Sequence, residues 1–183
     1  FNTAMTGYQE VITDPSYKGQ IVAMTYPLVG ASGINPDDME SGDLHLEGFV
    51  VREYQSHPSN WRSRQSLQEF LEAAGKLAVE GIDTRALTRR LRTAGVMRGV
   101  ISTESRDTEA LVARVREYPG LVGRDLVQFV TCTEPYRWQD GRAVSGHPLP
   151  AAPQAAEGGA QAPLRVVVID CGVKYNILRN LDE

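Results

Sequence analysis

A run from His147 to Pro163, composed almost wholly of Pro, Ala, Gly and Gln, divides this chain in two. Such a composition buries too little apolar area to offset the entropy of ordering it, so it predicts a linker over 147–163. On one side lies a body over 1–146, and on the other a short piece over 164–183. At roughly 100–200 residues per domain, the body has room for one complete core, and the second piece only for the opening of another domain.

That second piece has its own signature. Arg165-Val166-Val167-Val168-Ile169-Asp170 is a continuous apolar run of the kind found in parallel strands buried on both faces. Cys171-Gly172 and a helical Tyr175–Leu181 follow, which predicts the first βα unit of an α/β domain. Residue 1 is Phe rather than Met, and the strand and helix stop at Asp182-Glu183, so the chain reads as a piece of something longer.

The body alternates strands and helices, making the expected fold class α/β. Ile21–Tyr26 and Phe49–Tyr54 are β-branched and aromatic runs between Gly, Pro and Asp clusters, and predict strands. Asp14-Pro15-Ser16 predicts a turn that displays Ser16, since Asp accepts local backbone hydrogen bonds and Pro fixes φ. Ser66-Leu67-Gln68-Glu69 has capping-box spacing and opens a helix carrying Leu67, Phe70, Leu71 and Ala74 to Gly75. A second helix runs from an Asp83 N-cap to Gly95, with Leu87, Leu91 and Ala94 on one side and Arg85, Arg89 and Arg92 opposite. Val96–Ser102 predicts a strand, Asp107 opens a third helix with Leu111, Val115 and Tyr118 at core spacing, and 127–138 predicts another strand region.

Few residues carry chemistry by type and spacing alone. Cys171, between a buried strand and a helix N-terminus, has a place where the helix dipole stabilises a thiolate. No Gly precedes it two residues back and no His stands ready to activate it, so a small buried residue at a strand end is the favoured reading. Arg85, Arg89, Arg90 and Arg92 suit phosphates, nucleic acid or an acidic protein, but a solvated helix face laced with i,i+4 pairs is the favoured reading. The net charge of −4 argues against nucleic acid, whose binding needs surplus cations. His45, His57 and His147 are scattered singly, and Asp37-Asp38-Met39-Glu40 lacks an EF-hand pattern and reads as solvated loop charge, so no metal is expected. Cys132 and Cys171 lack Cys-x-x-Cys spacing, which implies neither a disulfide nor zinc. With no apolar run near the ~20 residues that cross a bilayer and no signal-peptide layout at Phe1–Met5, a cytoplasmic location without membrane partners is expected.

The ordered words of the chain say more than their residue types. Phe1 to Glu10, Thr13 to Tyr17, Gln20-Ile21-Val22, Thr25-Tyr26-Pro27, Gly81 to Arg89, Tyr118 to Leu121, Asp125-Leu126 and Asp170 to Arg179 occur in this order. Together they resemble the N-terminal domain and following segment of the small, glutamine-hydrolysing subunit of carbamoyl-phosphate synthase. The resemblance implies a swivelling β/β/α domain that mediates association, then a linker and the start of a class I glutamine amidotransferase domain. It implies a large ATP-grasp partner that uses ATP and Mg, and L-glutamine as substrate. Ser16 is carried over as the loop serine that hydrogen-bonds glutamine. No residue of the family's Cys-His-Glu triad is assigned, because its nucleophile belongs to a Gly-x-Cys-x-Gly elbow beyond the first strand; this stretch alone is expected to be inactive and to need no cofactor. A stand-alone, non-catalytic assembly module is the alternative.

Overall fold

The computed structural model describes residues 1–146 and 165–183; the expected linker lies outside the described residues, as does His147. Helix α1 (Tyr8–Thr13) leads into a 3-10 turn (Pro15–Tyr17) and strand β1 (Ile21–Ala23). Strands β2 (Leu28–Val29), β3 (Gly48–Val50) and β4 (Glu53–Tyr54) follow, then α2 (Leu67–Ala73), β5 (Leu77–Val79) and α3 (Thr84–Ala94). Beyond these come α4 (Thr108–Glu117), the hairpin β6 (Tyr136–Gln139) and β7 (Arg142–Ser145), and α5 (Tyr175–Asp182).

The architecture is mixed α/β with parallel pairing at its centre. Strand β3 lies between β1 and β5, parallel to both, with Phe49 opposite Val22 on one side and Ala78 on the other. All three residues of β3 are buried, as a strand flanked by neighbours and covered on its faces must be. The Phe49–Tyr54 run is broken after Val50: its far end turns to pair β4 with β2 in a second parallel ladder. Asn2 bridges to Met24, so the first residues extend the β1 edge.

Packing converges on one cluster. Tyr8, Val11 and Ile12 of α1 meet Val22 and Met24, Leu44, Leu46, Phe49 and Val51, and α2 closes the cluster with Leu67 and Leu71. Helix α2 starts where its sequence requires: the Ser66 side chain accepts from Glu69 N–H, and the Glu69 carboxylate accepts from Ser66 N–H at 2.7 Å.

Several expectations fail outside this body. Val96–Ser102 forms no strand, and Val96 and Val100 are exposed, because no neighbouring strand pairs with the segment among the described residues. Helix α4 forms behind its Asp107 cap but buries nothing fully: Leu111 and Val115 are half-buried and Tyr118 is exposed. The 127–138 region divides into a 3-10 turn (Val127–Phe129) and β6 instead of one strand. Helix α3 has the predicted caps, but its buried residues are Thr84 and Thr88; Thr88 shares a 2.7 Å hydrogen bond with Thr25 beside β1, while Leu87 and Leu91 are half-buried and Ala94 is exposed. The Val166–Ile169 run forms no strand and is exposed, since apolar periodicity makes a strand only where a partner strand satisfies its backbone.

Candidate functional site

Ser16 stands on a loop that its own sequence stiffens. Helix α1 ends at Asp14, whose side chain turns inward to accept from Ser16 N–H at 2.8 Å. Pro15 occupies the first position of the 3-10 turn, where a missing N–H costs nothing, and is buried. Tyr17 N–H donates to the Asp14 carbonyl, and the Gln20 side chain donates to the Ser16 carbonyl at 2.9 Å. These bonds occupy the backbone of Ser16. Its hydroxyl is exposed and has no hydrogen-bond partner among the described residues, so it is a preorganised donor and acceptor for a polar ligand.

The turn at 170–174 packs directly against this loop. Gly172 has φ +98°, and a Cβ there would lie 2.8 Å from Val130 Cγ2 and 3.3 Å from Pro15 Cβ. Lys174 Nζ reaches the Asp14 carboxylate at 3.7 Å, so Asp14 holds the Ser16 loop with one oxygen and the turn with the other. Asp170 closes the turn by accepting from the N–H groups of Gly172 and Val173, each at 2.8 Å. It also accepts from the Tyr136 hydroxyl at 2.7 Å. Burial, reinforced by that carboxylate, holds the Tyr136 phenol well above its usual range, so it stays a donor. Trp138 of the same hairpin packs against Tyr175 in a tilted arrangement, with ring centroids 5.0 Å apart and planes at 54°. Leu121 and Leu126 pack at Gly19, and Lys18 lies 6.0 Å from the Phe129 ring centroid, which supplies another side of the loop's surroundings.

Of the other candidates, Cys171 lies within the 170–174 turn and the rest fall elsewhere. Cys171 is exposed, which overturns its reading as a buried strand-end residue: the run before it is not covered by a sheet. Cys132 is also a free, exposed thiol. Arg85, Arg89, Arg90 and Arg92 are exposed, but the i,i+4 pairs expected around them are missing because α3 contains no acidic residue; Asp83 at its cap lies 4.0 Å from Arg52 instead. His45 is half-buried, and that burial pushes its pKa down and favours the neutral ring, while exposed His57 hydrogen-bonds Ser56 at 2.9 Å. No group of three or more His, Cys, Asp or Glu among the described residues is arranged to hold a metal ion. None of the described helices is long and apolar enough to cross a membrane.

The acidic loop is the largest correction. Asp37-Asp38-Met39-Glu40 is not simply solvated charge: Arg62 grips Asp38 at 2.7 Å, and Glu40 is buried at 7% exposure. Burial pushes the Asp38 carboxyl up, but hydrogen bonds from Asn35 and Arg62 outweigh it and hold the group below the usual carboxylate range. Asp14, Lys174 and Asp170 organise the loop and the turn. Of these only Asp14 announced itself, by preceding Pro-Ser. A separate apolar cleft of about 320 Å³ between α2 and β5 is lined by Phe49, Leu67, Leu71 and Leu77 and has no hydroxyl like that of Ser16 projecting from a constrained loop.

Comparison with known proteins places the chain in a family. Residues 1–101 match the family model described as carbamoyl-phosphate synthase small chain, CPSase domain. A carbamoyl phosphate synthase small chain of Syntrophotalea carbinolica is 50% identical over 181 residues, covering 99% of this chain and 46% of that protein. One from Nitratidesulfovibrio vulgaris (strain Miyazaki F) is 51% identical over 183 residues, covering 100% of this chain and 48% of its own length. A Synechocystis protein of the same name is 50% identical over 181 residues, covering 99% of this chain and 46% of its own length. The chain therefore spans about half the length of the curated relatives it matches, and it belongs to the carbamoyl-phosphate synthase small chain family.

Proposed function

We propose that the protein hydrolyses L-glutamine and delivers the ammonia to a large ATP-grasp subunit. That partner would use ATP and Mg to join the ammonia to bicarbonate, making carbamoyl phosphate. The observation that carries this reading is identity of 50–51% across 99–100% of the chain with proteins named carbamoyl phosphate synthase small chain. In this reading the parallel-sheet body is the swivelling association domain, and residues 165–183 open the amidotransferase domain. The apolar 165–170 run would pair as a strand where the rest of that domain supplies neighbouring strands.

Ser16 completes the glutamine site. Its hydroxyl is free while its backbone is held by Asp14 and Gln20, so binding a substrate amide or carboxylate costs little ordering entropy. Nucleophilic attack is assigned to a cysteine outside this stretch, because Cys171 sits exposed beside Gly172 with no histidine hydrogen-bonded to it among the described residues.

The test uses the complete small chain assembled with its large chain, supplied with either glutamine or ammonia. Ser16→Ala is expected to raise KM for glutamine about two- to tenfold, the cost of one hydrogen bond, and to affect ammonia use less. Equal effects on both nitrogen sources remove Ser16 from the site. Cys171→Ser is expected to keep glutamine turnover, and its loss would overturn the placement of the nucleophile. A complex that makes carbamoyl phosphate from ammonia but never from glutamine would favour a non-catalytic assembly module.

A further inference from the structure

Helix α5 has no capping residue of its own. Lys174 occupies the N-cap position and makes no side-chain cap bond, and Gly172 and Val173 before it carry no side-chain acceptor. The first N–H groups of any helix lack partners within it. Here they are met by a residue far away in sequence. Tyr175 N–H donates to the Glu40 carbonyl at 2.9 Å, and Asn176 N–H donates to the Glu40 carboxylate at 3.0 Å across a separation of 136 residues. Arg179 then donates to the Met39 carbonyl at 2.9 Å, one helical turn further along.

Glu40 is in turn fixed from behind. Its N–H donates to the Thr13 hydroxyl at 3.0 Å, and the Ser41 hydroxyl donates to the Thr13 carbonyl at 2.6 Å. Thr13 is fully buried and immediately precedes Asp14, the residue that folds the Ser16 loop and pairs with Lys174. Hydrogen bonds therefore run from α5 through Glu40 to Thr13, and the chain itself carries the link on from Thr13 to Asp14 and the Ser16 loop. A buried carboxylate at a helix N-terminus is also favoured by the positive end of the helix dipole.

We infer that Glu40 is a positioning residue: it caps α5 from the acidic loop and so holds the 170–174 turn in register against the Ser16 loop. Its effect on turnover rests on the glutamine site proposed at Ser16; the cap itself does not.

The experiment compares Glu40→Ala and Glu40→Gln in the complete small chain bound to its large chain. Glu40→Ala is expected to raise KM for glutamine about three- to tenfold, with kcat less affected and ammonia-driven synthesis within about twofold of the parent. Glu40→Gln, whose amide oxygen still accepts from Asn176 N–H, recovers most of that loss. In the same proteins, hydrogen exchange at the Asn176 amide, which loses its side-chain acceptor, accelerates in Glu40→Ala and returns toward the parent rate in Glu40→Gln. Should Glu40→Ala fail to fold, Glu40→Asp, a carboxylate one methylene short, takes its place with the same expected direction. An unchanged glutamine KM, or equal losses with both nitrogen sources, overturns the positioning role. A parent complex that never uses glutamine defeats the function proposed above; the exchange rates then decide the cap alone, and unchanged rates overturn it.

Discussion

The body around β3 and the shell after α3 differ in how they use apolar residues. Every fully packed member of the main cluster lies between Tyr8 and Leu71, whereas after Thr88 the only buried side chain among the described residues is Leu178. The shell is not poor in apolar residues: Val96, Val122, Val167 and Ile169 are all more than 80% exposed. What it lacks is a surface to meet. The body is held by burial, while the shell meets it through specific polar joints such as Asp14–Lys174, Arg179 with the Met39 carbonyl, and Glu40 with α5.

The strongest test of this contrast is Phe49→Ala, which removes a fully buried ring from the central strand. It should cost about 3–5 kcal/mol in urea unfolding, whereas Val167→Ser in the shell should stay within about 0.5 kcal/mol. Comparable costs at the two positions would erase the distinction. Gly172→Ala probes the joint itself, since it forces a Cβ to 2.8 Å from Val130 at φ +98°. A cost of about 1–3 kcal/mol is expected, with faster hydrogen exchange in α5 and little change in the β3 amides. Uniform loosening would mean that body and shell unfold as one unit.

The smallest effect concerns pH. The Asp38 carboxyl titrates below its unfolded value because Asn35 and Arg62 hydrogen-bond its charged form against the opposing effect of burial. Its contribution to stability is therefore complete above the ordinary carboxylate range and disappears as pH falls through the lowered folded value. Acid unfolding of Asp38→Asn should show a shallower dependence over that window than the parent, and an identical slope would deny the group its role.

How far sequence reading reached follows the range of the forces involved. The Ser66–Glu69 capping box, the Asp83 and Asp107 caps and the Asp14-Pro15-Ser16 turn were all readable, because each is settled within a few neighbouring residues. The apolar runs Val96–Ser102 and Arg165–Asp170 misled, because periodicity reports what a segment can bury and is silent on whether a partner is present. Glu40 was misread for a related reason: an acid in a Gly- and Asp-rich loop resembles solvated charge until the helix it caps is brought to it. The uncapped Gly172-Val173-Lys174 start of α5 was the available signal, since orphan N–H groups must find an acceptor somewhere.

Local chemistry thus decided where helices begin, which loop displays a free serine, and, through the order of its short words, which family the chain joins. Folding in three dimensions decided which apolar runs become core and which acid becomes a cap. The first set depends on backbone groups a few residues apart, which any conformation of the chain keeps close. The second depends on surfaces from distant segments meeting, and Asn176 with Glu40 become neighbours only once the body has packed.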